Sequence, residues 1–222
     1  MSAEGTEEGG LGKSRIEAFS DGVFAIAITL LVLDIKVPTP TDTPLPRLLP
    51  RLLSLWPELF SYALSFVIIG VYWVAHHLML HALKRADRTL LWINNLFLMC
   101  VALIPFSAGV LGQYRHAQVA VVLYGLNLIV VGLSLQFLWS YATRTPRLSD
   151  APIPPRLVRA GSVRTLGAIG LNVIAISLSF LSPGLSLAVY WLVPLLYVLM
   201  QSRDDRRGRD VKAAPAARTP PD

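Results

Sequence analysis

The sequence predicts an all-α integral membrane protein with six transmembrane helices per chain, and three observations carry that expectation. Of its 222 residues, 54% are hydrophobic and 15% charged, and the mean hydropathy is +0.54. That is too apolar for an ordinary soluble domain of this length. Charge is also segregated: Thr165 through Ser202 are 38 consecutive residues without Asp, Glu, Lys or Arg. As a single helix that run would be about 57 Å long, against a hydrocarbon layer of about 30 Å, so it must turn back, and Ser182-Pro183-Gly184 supplies the turn. Finally, the basic residues sort to one side. With the N-terminus cytoplasmic, that side receives sixteen Lys and Arg, and the other receives only Lys36, Arg47, Arg51 and Arg115, so the positive-inside rule places both termini in the cytoplasm of a multi-pass cell-membrane protein.

Taken in order, the chain opens on a mobile tail, residues 1–12. The membrane domain follows over residues 13–202, and a charged, disordered tail closes the chain over residues 203–222. The six expected spans run from about Ala18 to Ile35, Leu59 to Leu80, Leu90 to Leu111, Ala117 to Tyr141, Thr165 to Leu181 and Leu185 to Gln201. The linker from Lys36 to Trp56 holds five prolines, which oppose a continuous helix and predict an extended loop with a short interfacial turn. A second proline-rich linker separates the fourth and fifth spans. No small-residue cleavage site follows the first apolar segment, which reads as a retained span and not a leader.

These features exclude several function classes. The net charge of +6 is concentrated on one membrane side without a binding module, which argues against a nucleic-acid partner. There is no P-loop, no Rossmann glycine fingerprint and no HExxH motif, nor a TVGYG carbonyl filter, so an ion path here would lack the reentrant P-loop filter of ordinary potassium channels. Cys100 is the one cysteine, so no intramolecular disulfide forms and a small buried side chain is expected.

The first span carries the most structured signal. Gly22, Ile26, Thr29, Leu30 and Leu33 fall on one helix side by their three- and four-residue spacing. Ile26, Leu30 and Leu33 would stand about 6 Å and then 4.5 Å apart along the axis. Gathered around a symmetry axis they would form a hydrophobic constriction, but an aliphatic stripe serves lipid or protein packing more often than a gate. Thr29 either lines the path or bonds back to its own preceding carbonyl.

The stretch RIEAFSDGVFAIAITLLVLDI places Arg15, Phe19, Ser20 and Asp21 ahead of that stripe. It resembles the RxxxFSD signature of the TMEM175 family of cation channels. The likeness continues through YWVAHHLML in the second span and LWINNLFLMCVALIPFSAG in the third. The resemblance implies a passive, potassium-preferring cation channel, with no catalytic turnover and no cofactor. Its ion path would be lined by the first helices of a homotetramer. Ile26 looks like the principal constriction, Leu30 and Leu33 like further apolar levels, and Thr29 like the polar position near the selectivity region. Permeating K+ near the first-helix pore is the metal expected, and no structural metal is. The partners expected are identical subunits, membrane lipids, and K+ or other monovalent cations.

The FSD region in that family supports an interhelical polar network, which assigns Asp21 to holding and gating the first helix. Trp73, His76, His77, Asn94 and Asn95 are the candidate partners, because polar side chains inside spans favour inward hydrogen bonding. Adjacent histidines point about 100° apart; the resemblance favours His77 for the network and leaves His76 to face elsewhere. Phe19 anchors the helix in an apolar pocket, Ser20 offers a helix-start hydrogen bond, and Arg15 meets Asp21, Glu17 or lipid phosphate. Asp34 reads two ways, as a cation-attracting acid at the extracellular mouth or as a carboxylate in interfacial water beside Lys36. A small ion-coupled transporter, a membrane enzyme or a nonconducting scaffold are the alternatives; the first two lack a recognisable catalytic set or broken-helix repeat.

Overall fold

A computed structural model describes residues 12–39 and 44–197. The two terminal tails, but for Gly12, and the end of the expected sixth span fall outside the described residues. Within them the chain is all-α, with no strand. Helix α1 spans Lys13–Leu30 and tightens into a 3-10 turn over Leu31–Asp34. It is followed by α2 (Leu45–Ser54), α3 (Trp56–His81), α4 (Arg88–Ala102), α5 (Ile104–Gln113), α6 (Gln118–Arg144) and α7 (Pro155–Ser179). A last helix, α8, covers Pro183–Tyr197.

Five stretches are long and apolar enough to cross a membrane: Lys13–Asp34, Trp56–His81, Arg88–Gln113, Gln118–Arg144 and Pro155–Ser179. The protein is therefore a multi-span membrane protein. α8, with 15 residues in the range described, reaches about 22 Å at the helical rise and is short of a full hydrocarbon layer of about 30 Å. The third stretch is one span made of two helices. Pro105 has no N–H to donate to the carbonyl four residues back, so α4 stops at Ala102 and α5 restarts at Ile104 across Leu103.

The linker before α3 departs from the sequence expectation. Its helix, α2, has ten residues, where an extended loop with a short turn was expected. Pro46 sits in the first helical turn, where a backbone N–H has no acceptor to lose, so only Pro50 costs an internal hydrogen bond.

α1 packs on α3 and α4, and α6 is held between α4, α5 and α7. Tyrosines tie the layers by donating to backbone carbonyls of α6: Tyr72 to Leu128 at 3.0 Å and Tyr190 to Val121 at 2.9 Å. Close approach of α7 to α6 depends on glycine. A Cβ on Gly132 would lie 2.7 Å from Ile169 Cγ1, and one on Gly125 would meet Ile176 and the Tyr190 hydroxyl. Gly167 and Gly170, by contrast, face open space.

At the other end of the bundle, Asp87 caps α4. Its carboxylate accepts from the Leu90 N–H at 2.8 Å, the Tyr141 hydroxyl at 2.7 Å and the Arg147 guanidinium at 2.8 Å. The Lys84 N–H donates to the Leu148 carbonyl at 2.8 Å, which closes the same corner. Burial alone would push the Asp87 carboxyl up, but these three donors hold it below its ordinary 3.8. The signal that could have found the cap is an Asp three residues ahead of the apolar run that opens at Leu90, although its partners leave no such signal.

A carboxyl whose folded value is depressed contributes its stability above the unfolded value and loses it as pH falls through the folded one. Asp87→Ala should therefore lower stability by about 1–2 kcal/mol at neutral pH. In thermal melts of the purified protein, that deficit should shrink as the buffer is brought below the ordinary carboxylate value. A deficit that stays constant with pH would show that Asp87 holds the corner by packing and not by charge.

Candidate functional site: the two faces of the first helix

α1 is divided lengthwise. Ile16, Ser20, Phe24 and Ala27 are buried, and Leu31 continues that row into the 3-10 turn. This row is the side that meets α3 and α4. The sequence-predicted stripe lies on the other side: Ile26 is 59% exposed, Leu30 43% and Leu33 73%. Gly22 and Thr29 are exposed with them, and nothing lies within 4 Å of where a Gly22 Cβ would be. Exposure this large on aliphatic side chains at helical spacing means that the protomer packs on one face of α1 and leaves the other to something outside itself.

Two details of the stripe differ from the sequence reading. Leu33 stands on a 3-10 turn, where the rise is about 2.0 Å per residue, so it lies about 6 Å beyond Leu30 and not 4.5 Å. Phe19, expected in an apolar pocket, is 58% exposed. It lies seven residues before Ile26, two helical turns away on the same face, so a pocket for it would have to come from outside the protomer. The Thr29 hydroxyl lies 3.0 Å from the Ala25 carbonyl and 2.9 Å from that of Ile26. Its proton is thus committed to the helix backbone and its oxygen lone pairs are left facing outward.

The buried face carries a polar chain. His76 Nε2 is 2.7 Å from Asn94 Oδ1, and Asn94 Nδ2 donates to Ser20 Oγ at 3.1 Å. An amide oxygen only accepts, so His76 carries its proton on Nε2 in this arrangement. All three side chains are buried. Phe97 stacks on the imidazole at 5.2 Å and Phe24 closes it at 5.7 Å, so the chain joins α1, α3 and α4 in apolar surroundings. This reverses the expected order of the histidines. His76, not His77, joins the buried network, because α3 turns position 76 toward α1 and α4 and position 77 about 100° away. His77 is exposed and lies between Trp73 and His81, at ring separations of 5.7 Å and 6.3 Å. Asn95 is likewise exposed, one position on from buried Asn94.

Asp21 has the partner that the sequence named. Trp73 Nε1 donates to its Oδ1 at 2.8 Å, a second link from α1 to α3 at the protomer surface. Glu17 is taken by Lys13 at 3.4 Å, and Arg15 is exposed. Asp34 turns toward α5, where a Cβ on Gly109 would come within 2.7 Å of its Oδ2. It shares a small crevice with Glu58, Tyr62 and Gly112. Cys100 is buried and free. Among the described residues no group of three His, Cys, Asp or Glu side chains is placed to hold a metal.

The fold and this divided helix define an all-α, multi-span membrane protein that holds its first helix by a buried polar chain and presents that helix's aliphatic face outward. The family model described as "Endosomal/lysosomal potassium channel TMEM175" matches residues 15–105, a stretch that holds all but the first two residues of α1 and the whole of α3 and α4. A potassium channel of Streptomyces collinus is 42% identical over 188 residues, covering 82% of this chain and 90% of the relative. The crystal structure of a lysosomal potassium-selective channel TMEM175 homologue from Chamaesiphon minutus superposes with a TM-score of 0.74 at 37% identity, covering 84% of this chain and 96% of that one. The human endosomal/lysosomal proton channel TMEM175 is 39% identical over 103 residues, which are 44% of this chain and 20% of the human protein. The chain belongs to the TMEM175 family of potassium channels.

Asn94→Leu should strand the Ser20 hydroxyl and the His76 N–H in apolar surroundings and cost about 2 kcal/mol or more. Asn95→Leu, on exposed surface, should stay within about 0.5 kcal/mol. Thermal unfolding of the two purified variants checks this, and equal losses would contradict the assignment of the network to position 94.

Proposed function

We propose that this protein is a passive, potassium-preferring cation channel in which the α1 helices of four identical chains surround the ion path. The observation that carries the reading is the open face of α1: Ile26, Leu30 and Leu33 remain exposed although the opposite side of the same helix is packed and hydrogen-bonded. Lipid covers exposed aliphatic side chains elsewhere on the spans, so the choice of copies of this face around an axis rests on the chain's similarity to potassium channels of its family, with the exposed row of α1 as the face that fits. With Ile26 nearest the axis, the closed path is a dry aliphatic constriction. The outward lone pairs of Thr29 then offer the ion its nearest side-chain oxygen, and because oxygens are few, K+ passes partly hydrated and selectivity is modest.

Counting α8 as a sixth span puts both termini on one membrane side, and the sixteen-to-four split of basic residues makes that side cytoplasmic. Asp21 and Trp73 sit at that end of α1. There they link α1 to α3 at the surface, where gating movements of the pore helix would be felt, while the buried Ser20–Asn94–His76 chain keeps α1 in register. Potassium is favoured over protons as the permeant ion, because the relatives that match most of this chain are named potassium channels, whereas the proton channels match 48% of it or less.

Ile26→Asn should hydrate the constriction and raise K+ leak through the closed channel several-fold, because an amide bonds water where an isoleucine excludes it. Ile26→Val keeps an apolar β-branched wall and should stay near the parent. Flux from liposomes and planar-bilayer recording, with assembly checked for each variant, measure the effect. Unchanged leak in correctly assembled Asn protein would remove Ile26 from the constriction.

A further inference from the structure

The linker helix α2 is amphipathic, and its own protomer leaves it uncovered. At about 100° per residue, Leu45, Leu48, Leu49, Leu52 and Leu53 fall within an arc of about 140°, and Arg47 and Arg51 lie on the other side. None of its ten residues is buried. Leu45 is 85% exposed and Leu53 67%, so the described residues leave these leucines unpacked.

Its position says what covers it. The first span ends at Asp34, and Leu55 alone separates α2 from Trp56, where the next span begins. α2 is therefore held at the level where spanning helices leave the membrane. Leu55 is buried and fixes that joint. The level is marked independently by Trp56, whose ring lies 5.5 Å beneath the Arg115 guanidinium, an aromatic-cation pair suited to the headgroup region. α2 contains two arginines and no acid, and both arginines are exposed, which complements a surface of lipid phosphates.

We propose that α2 is a membrane-interface helix, lying in the plane of the bilayer with its leucines in the boundary between headgroups and acyl chains and with Arg47 and Arg51 at the lipid phosphates. It then acts as a lipid-borne strut between the end of the first span and the start of the second, so the lipid at this face bears directly on the chain that leaves α1.

The test places a nitroxide at Leu49→Cys and, separately, at Arg47→Cys in the full-length protein, reconstituted in vesicles of phosphatidylcholine and phosphatidylglycerol. Buried Cys100 should stay unlabelled, which the unsubstituted chain verifies. Collisions with dissolved oxygen report the apolar layer, and collisions with a water-soluble nickel chelate report the aqueous one. The proposal expects position 49 to favour oxygen and position 47 to favour the chelate, a several-fold reversal between residues two apart. Leu52→Cys repeats the leucine-face reading if the position 49 variant fails to fold. Water-like accessibility at both faces would overturn the proposal, as would a leucine face shielded from both reagents, since a second copy of the chain would then cover it.

Discussion

The rotation of α1 about its own axis is held by one buried hydrogen-bonded chain, Ser20 to Asn94 to His76, and the rest of the site depends on it. The three groups come from α1, α4 and α3, and each has its partner inside a layer of Phe24 and Phe97. Turning α1 by one residue, about 100°, would break the Asn94–Ser20 bond and leave the Ser20 hydroxyl and the Asn94 amide N–H unpaired in apolar surroundings, at about 1–3 kcal/mol for each group. That penalty also determines which aliphatic residues face outward. Ile26, Leu30 and Leu33 are exposed as a consequence of Ser20 being buried. The Asp21–Trp73 hydrogen bond adds a second tether about 100° round the helix, at the surface.

Much of this was legible in the sequence, and for a stated reason. Helical spacing alone grouped Gly22, Ile26, Thr29, Leu30 and Leu33, because a 3.6-residue period survives any packing arrangement. Polar residues in apolar runs pointed to Trp73, His76, His77, Asn94 and Asn95 as network candidates, since hydrocarbon leaves such groups few alternatives. The choice between His76 and His77 was not legible. The two positions have similar sequence surroundings, and only the direction in which α3 meets α4 distinguishes them. Phe19 has no pocket within the protomer, where it is 58% exposed: an aromatic residue suggests a pocket, but the pocket's chain of origin is not encoded in spacing.

The ends of elements followed local chemistry that a hydropathy reading smooths over. The 3-10 turn at Leu31–Asp34 lengthens the interval between Leu30 and Leu33, and nothing in an all-apolar run announces it. In the linker, counting prolines obscured their positions, and Pro46 in a first turn is compatible with the helix that forms. Asp87 was not singled out in the sequence, and its partners Tyr141 and Arg147 reach it from 54 and 60 residues away. The glycines show the same limit, because Gly132 and Gly167 are alike in sequence and only the first is pressed against an isoleucine.

We propose that the open face of α1 is where copies of this chain meet around a shared axis. Electron cryo-microscopy of the full-length protein in lipid nanodiscs tests it most directly. The expected result is a symmetric assembly in which the Ile26 side chains of all subunits converge on one axis, with Leu30 and Leu33 at successive levels and the Ser20–Asn94–His76 chain intact behind them. An assembly whose continuous pore is lined by another helix, with Ile26 facing lipid, would contradict it.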